Sequence, residues 1–248
     1  SDLYWLTNEQ LARLEPFFRR ATGSPARMIA AIERANLRQP KGLRWRHVPK
    51  DYSPHKTLYN RWKRWVNMGT FVRMMDGLAS GKQNRRPFMI DATYLKATAG
   101  VEPAGKIGDP GRLIDRTKGG MNTKLHAVTD RHGRLMSFFV TAGQVGDYTG
   151  AAVLLDTPSK AQDYWRTEAM MSTGSVSSSG KTDQTMYSRT EIRAHPIKHD
   201  KRRYKRRNRI EIMFGRFKNW RRVATRYGRC LTVFFSVIGL AATVMFWL

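Results

Sequence analysis

Cysteine is almost absent from this sequence: Cys230 is the single one among 248 residues. One thiol cannot build an internal disulfide framework or a cysteine-rich zinc site, so both are excluded. A reducing, cytosolic compartment fits this composition. Residues 1–10 lack the basic start and the apolar run of a secretory signal peptide, so we expect that they are not one.

Acidic side chains are also scarce: 19 Asp and Glu stand against 45 Lys and Arg, which gives a formal net charge of +26. A solvated globular surface does not need this imbalance, and the usual reasons for it are a nucleic-acid partner or an anionic membrane. Hydrophobic residues make up 41% of the chain, enough for a packed core, so wholesale disorder is not expected.

One long uncharged run, 231–248, raises the question of a membrane. Its eighteen residues would allow a tail anchor on length alone. Because this length is at the lower limit for crossing a bilayer, we expect a buried helix, or a strand and a helix, that closes the core. A tail-anchored membrane protein is the alternative, and solubility without detergent would exclude it.

The hydrophobic pattern predicts helices in the first 80 residues and a mixed α/β sheet after them. A polar linker at 80–87 marks the predicted boundary between a helical domain, 1–80, and an α/β domain, 86–248. Strands are predicted at 88–96, 123–130 and 134–143, helices at 3–18, 147–155 and 201–227, and a Gly/Pro-rich loop at 97–121. We also predict a capping box between Thr7 and Gln10 and a tight turn at 131–133.

Basic and aromatic residues alternate along 57–65, after a helix start at Ser53-Pro54. The apolar side comprises Leu58, Trp62 and Trp65, and the cations that point elsewhere are Arg61, Lys63 and Arg64. This arrangement is typical of the last helix of a helix-turn-helix unit, whose cations bind DNA phosphates. The alternative is an ordinary amphipathic helix with a solvated basic face.

Four residues at regular intervals are the candidates for a functional site: Tyr204, Arg207, Glu211 and Lys218. Their intervals are three, four and seven residues, which lie on one face of a helix at about 100° per residue. Metal-dependent phosphoryl chemistry needs carboxylates from separate elements, and Asp91, on a predicted strand, is a candidate partner for Glu211. Alternatively, Asp91 forms a turn at a strand end and Glu211 pairs with Arg207.

These four residues match, at every interval, the signature Tyr, two residues, Arg, three residues, Glu, six residues, Lys. The sequence therefore resembles the group of DDE-type insertion-sequence transposases that carries this signature. The resemblance extends to IDATYLK at 90–96, KGGMNTKLHAVTD at 118–130 and PHKTLYNRWKRW at 54–65, so it spans most of the chain.

The resemblance implies a ribonuclease-H-like catalytic domain, a mixed sheet with flanking helices, preceded by a small helix-turn-helix-like DNA-binding domain. Asp91 and Glu211 match the first and last catalytic acids, which would hold Mg²⁺ or Mn²⁺. DNA contacts would come from Tyr204, Arg207 and Lys218, together with Arg61, Lys63 and Arg64. In the family's reaction, a Mg²⁺-activated water cuts at the element's ends and the freed 3′-hydroxyl attacks target DNA.

The resemblance also implies the partners and the location of the protein. The partner would be double-stranded DNA, both transposon ends and target, bound by a homodimer or a higher oligomer. The protein would lie on the nucleoid in a bacterial cytoplasm, with no membrane partner.

The chain departs from the family at the second catalytic aspartate, which the family places in a pattern like Asp-Arg-Gly-Tyr-Asp. No such motif occurs here, and the segment where it should lie, 157–193, shows neither a helical stripe nor strand alternation. If the codons for 164–171 are read in a shifted frame that starts at the third base of the first codon, the genetic code permits Leu-Ala-Asp-Arg-Gly-Tyr-Asp, which contains the family pattern. We hypothesise that frame changes scrambled 157–193 and 24–41; native codons that do not spell the motif in the shifted frame would refute this.

The consequence for activity follows from the lost ligand. Removing one of three carboxylates weakens metal binding and the alignment of the attacking oxygen, so we predict little or no strand transfer. Asp163 or Glu168 could replace the missing acid only if its segment reaches the site. The alternative function is a non-catalytic DNA-binding protein derived from a transposase.

Overall fold

The structure is a computed structural model that describes residues 6–18, 45–47, 54–80, 89–98, 113–146, 208–228 and 230–248. Several predictions lie outside these residues: the helix at 147–155, the segments 24–41 and 157–193, and the side chains of Tyr204 and Arg207.

The N-terminal part of the described chain is helical, as predicted. Helix α1 (Asn8–Leu14) continues into a 3-10 turn (Glu15–Phe17), and a second 3-10 turn lies at Trp45–His47. The predicted capping box is confirmed, since the Gln10 amide donates to the Thr7 hydroxyl at 3.3 Å and the Thr7 amide donates to the Gln10 side chain at 2.9 Å. The first helix is shorter than its predicted span, because the chain tightens before Pro16.

Two further helices follow, α2 (His55–Asn67) and α3 (Thr70–Ser80). Only Met68 and Gly69 separate them, and Gly69 has a φ of 63°, a left-handed conformation that glycine adopts at little cost. Helix α3 thus follows α2 directly. The helix-turn-helix assignment stays a prediction.

The sheet has five described strands: β1 (Met89–Ala97), β2 (Asp115–Thr117), β3 (Gly120–Thr129), β4 (Leu135–Ala142) and β5 (Thr225–Arg226). β3 lies between β1 on one side and β4 on the other, all antiparallel, and β2 pairs with the start of β3. β5 runs parallel to the end of β1. The fold is therefore mixed α/β, as predicted, whereas its likeness to ribonuclease H stays a prediction.

Two boundaries differ from the predictions. The segment predicted as a Gly/Pro-rich loop contains β2, which forms a hairpin with β3. Gly120, the first residue of β3, has a φ of 97°. The basic helix ends at Asn219: Trp220 is extended and buried, α5 (Arg221–Ala224) is a single turn, and β5 follows. The β-branched side chain of Thr225 and the pairing with β1 favour the strand there.

Residues 231–248 form a buried helix, as predicted. Helix α6 (Leu231–Ala242) ends in a π-helical turn (Thr243–Trp247), and most of its side chains are buried against α3 and the sheet. At Gly239 the contact is so close that a Cβ would lie 3.0 Å from the Phe71 carbonyl oxygen. In the part of the chain that the structure describes, no helix is long and apolar enough to cross a membrane.

Candidate functional site

Asp91 lies in the first half of β1, next to the central strand β3. Side chains alternate along a strand, so Asp91 shares a face of the sheet with Met89 and Leu95, both of which belong to the hydrophobic core. Asp91 itself is half-buried, and its Oδ1 accepts a hydrogen bond from the Ala92 amide at 2.9 Å. The carboxylate therefore stands at the edge of the core, partly open to solvent.

Glu211 and Lys218 lie on helix α4 (Asn208–Asn219), in its first and last turns. Both side chains are exposed. The helix packs through Ile210, Met213, Phe214 and Phe217, which belong to the same core as Leu95. Glu211 and Lys218 are seven residues apart and so differ by only about 20° around the helix axis. They form one solvent-facing flank beside the buried side.

Helix α4 contacts strand β1, so Asp91 and Glu211 come from two elements that pack directly together. Their role as shared ligands of a metal ion stays a prediction. Among the described residues, no group of three or more His, Cys, Asp or Glu side chains is arranged to hold a metal.

The turn between β3 and β4 fixes the beginning of α4. Arg209, one residue into the helix, donates from Nη1 to the Arg131 carbonyl at 2.6 Å. Gly133 has a φ of 77°, and a Cβ at this position would lie 2.8 Å from the Arg209 carbonyl oxygen. The predicted tight turn is thus confirmed, and glycine is needed there both for the backbone conformation and for close approach of the helix.

Asp130 holds this turn together from inside. Its Oδ1 accepts from the amides of His132 and Arg134, each at 2.9 Å, and its Oδ2 accepts from the Arg134 guanidinium at 2.8 and 2.6 Å. Burial alone would raise the pKa of Asp130, but the hydrogen bonds and the charge of Arg134 outweigh it and lower that pKa below its usual value. Arg134 also lies over the buried ring of Trp247, at 4.8 Å. Asp130 is therefore a structural residue that stabilises the turn against which the beginning of α4 packs.

An open groove borders the same turn on the other flank of α4. It runs between His132, Arg209 and Arg216 and the C-terminal residues Met245 and Phe246. On the helical wheel, Arg209 and Arg216 lie roughly 140–160° from Glu211. The groove is thus separate from the flank that carries Glu211 and Lys218.

The predicted DNA-binding cations of the N-terminal part lie on α2. Lys63 and Arg64 are exposed and Arg61 is half-buried. The predicted apolar side is confirmed, since Leu58, Trp62 and Trp65 are buried. α2 and α3 share their core with the sheet and α6.

Comparison with known proteins gives two matches. Residues 6–75 match a family model described as "Putative transposase of IS4/5 family (DUF4096)", a region that includes α1, α2 and half of α3. The chain is also 30% identical over 142 residues to a Brucella ovis protein named "Putative transposase for insertion sequence element IS6501". That alignment takes in 52% of this chain and 99% of the relative.

The chain belongs to the insertion-sequence transposases. This membership confirms the coarse part of the sequence-based resemblance, and the DDE type with its catalytic residues stays a prediction. No solved structure matches the chain.

Proposed function

We propose that the chain is a DNA transposase of the DDE type that binds element ends and whose strand cleavage and transfer are impaired. The observation that carries this proposal is the packing of α4 against β1, because it brings Asp91 and Glu211 onto two adjoining elements. Membership of the insertion-sequence transposases supports DNA as the substrate.

The donor chemistry of the two acids fits a Mg²⁺ or Mn²⁺ ion. Hard cations prefer carboxylate oxygens, and Mg²⁺ takes only one or two of them from protein while keeping several waters. Asp91 is half-buried and Glu211 exposed, so a phosphodiester and its metal ion could approach both from solvent. When bound, the ion would polarise the phosphate and lower the pKa of water.

The protein's own side chains would bind and orient the DNA. Lys218 stands about 10 Å along α4 from Glu211, on the same flank, where its ammonium would bind a phosphate next to the reacting one. A duplex could reach Glu211 and Lys218 from solvent, because both side chains are exposed.

The missing middle aspartate is what impairs the reaction in this proposal. The sequence between Asp91 and Glu211 lacks the family's Asp-Arg-Gly-Tyr-Asp pattern, so two acids remain where the resemblance expects three. A non-catalytic DNA-binding protein of transposase descent is favoured by the same observation. A cleavage assay separates the two functions, and DNA binding is common to both.

DNA binding is expected to depend steeply on salt. With a net charge of +26 the chain should neutralise several phosphates, so its affinity for a 30-base-pair duplex should fall about 10³-fold or more between 50 and 200 mM NaCl. Replacing Lys218 with glutamine should reduce the slope of log K against log [salt] by about one, as expected for one lost phosphate contact. Fluorescence anisotropy of a labelled duplex measures both quantities.

Lys118→Gln is the matched control, since Lys118 is also an exposed lysine and lies in the turn between β2 and β3. It removes the same charge from a different element and should alter the slope less than Lys218→Gln does. Equal slopes for the two variants would contradict a specific phosphate contact at Lys218, and a wild-type chain that does not bind the duplex would contradict the proposed function.

A further inference from the structure

The chain after Glu211 contains six cations and no carboxylate: Arg216, Lys218, Arg221, Arg222, Arg226 and Arg229. Four of them lie on or just after the last turn of α4, where the helix breaks at Trp220 and α5 begins: Arg216, Lys218, Arg221 and Arg222. No acid of this part of the chain can neutralise them locally. The surface therefore has the charge of a site for an anion.

Tyr227 contacts two of these cations and remains 43% exposed despite its size. The Arg221 Nε donates a hydrogen bond to the Tyr227 hydroxyl oxygen at 3.1 Å. The Arg222 guanidinium lies over the Tyr227 ring, 5.5 Å from its centroid. We call these three residues the Arg–Tyr–Arg cluster. Two guanidinium groups are thus held in fixed positions around one aromatic ring.

The cluster stands on a rigid part of the fold. Between its arginines and its tyrosine the chain forms β5, which pairs with the end of β1 at Lys96 and Ala97. Arg226 of this strand is buried, and it donates to the Gly228 carbonyl at 3.1 Å and the Thr123 hydroxyl at 3.2 Å. Groups that are already oriented lose little conformational entropy when they bind a ligand.

We propose that the Arg–Tyr–Arg cluster binds the phosphodiester backbone of duplex DNA, as an additional contact beyond the end of α4. The inference rests on the proposed function, because it takes DNA as the polyanion that this surface meets. A guanidinium whose Nε is engaged still presents its terminal N–H groups, and these suit two phosphate oxygens. The exposed edge of Tyr227 packs against sugar and backbone while its hydroxyl orients Arg221.

The position of the cluster agrees with this role. Lys218 and Arg221 are three residues apart across the end of α4, so the cluster directly follows the helix that carries Glu211 and Lys218, beside strand β5. A duplex held at Lys218 would extend over Arg221. Lys218, Arg221 and Arg222 would then follow one strand of the backbone, without reading its sequence.

The test uses the full chain, Arg221→Gln and Tyr227→Phe, with a labelled duplex of mixed sequence. Arg221→Gln should weaken binding about five- to tenfold at 100 mM salt and reduce the salt slope by about one, the effect of one lost phosphate contact. Tyr227→Phe keeps every charge and the ring but removes the hydroxyl that positions Arg221. It should weaken binding about two- to threefold and leave the slope unchanged.

Arg13→Gln, an exposed arginine in the last turn of α1, is the charge-matched control. Thermal melting of each variant checks that the fold is retained. If the wild type binds duplex and Arg221→Gln behaves like Arg13→Gln, the cluster proposal is wrong while the proposed function stands. If the wild type does not bind duplex, both are wrong.

Discussion

Replacing Gly133 with alanine is expected to lower the free energy of unfolding by roughly 3 kcal/mol. Gly133 has a φ of 77°, and an added Cβ would lie 2.8 Å from the Arg209 carbonyl oxygen and 3.3 Å from its carbonyl carbon. These are backbone atoms of α4, so they cannot move aside as a flexible side chain would. The turn and the helix that carries Glu211 must separate to accept the methyl group. Urea denaturation of the full chain measures the change.

Two other glycines isolate the causes of this loss. Gly120 has a φ of 97° and no heavy atom within 4 Å of an added Cβ, so Gly120→Ala should cost only the conformational part, roughly 1 kcal/mol. Gly215 lies exposed in α4 with the same free space, and alanine there should stabilise the helix by about 0.5–1 kcal/mol. If Gly133→Ala costs no more than Gly120→Ala, the turn does not fix α4 as described.

Replacing Asp76 with asparagine is expected to stabilise the protein above neutral pH. Asp76 lies in α3, and burial raises its pKa from 3.8 to about 7. No donor among the described residues contacts its buried Oδ2. Ionising this carboxyl in the folded protein therefore costs free energy, because the charge is desolvated and no described donor binds Oδ2.

The sign of the pH dependence follows from these two values. The folded state holds the proton more tightly than the unfolded state, so stability falls as pH rises from about 4 to about 7 and then levels off. The shift from 3.8 to about 7 corresponds to roughly 4 kcal/mol as an upper figure. Asp76→Asn should remove most of this loss at pH 8 and change stability little at pH 4.

Thermal melting of the wild type and Asp76→Asn at pH 4, 6 and 8 measures this effect. Glu15→Gln is the control, because Glu15 is an exposed acid and its charge remains solvated in the folded protein. A wild-type stability that rises between pH 4 and 8, with Asp76→Asn following it in parallel, would contradict a pKa of Asp76 raised by burial.

The sequence predicted those parts of the fold whose signals are local. The Thr7–Gln10 capping box, the turn at 131–133 and the apolar side of α2 depend on residues a few positions apart, and all three are confirmed. The run FMIDATYLK at 88–96, with three apolar residues before Asp91, likewise predicted β1. In each case the side chains that determine the structure are near neighbours in the chain.

The missed elements depend on partners that are distant in sequence. β5 is two residues long and exists because it pairs with the end of β1, more than a hundred positions earlier. The end of α4 at Trp220 depends on burial of that indole in the common core. Helical periodicity continues through 220–227, so a pattern search extends the helix where tertiary contacts end it.

For the candidate site, too, the sequence predicted local placement but not contacts between distant residues. Spacing placed Glu211 and Lys218 on one helical flank, and the structure has both exposed on α4. Spacing could not show that Gly133 and Arg209 join the turn to this helix, nor that Tyr227 folds back onto Arg221 and Arg222. The first contact joins residues more than seventy positions apart, and the second depends on the break of the helix at Trp220 and on β5, which local periodicity does not predict.

The central claim is that this transposase binds DNA but, with two of the three expected acids, does not cleave it. Metal-dependent cleavage tests this claim most directly. The substrate is a supercoiled plasmid that carries the insertion sequence with its own ends, incubated in Mg²⁺ or Mn²⁺ with enough protein to bind it fully. We expect binding without nicking or strand transfer above background, equally for the wild type, Asp91→Ala and Glu211→Gln. Nicking at the element ends by the wild type that Asp91→Ala abolishes would contradict the account.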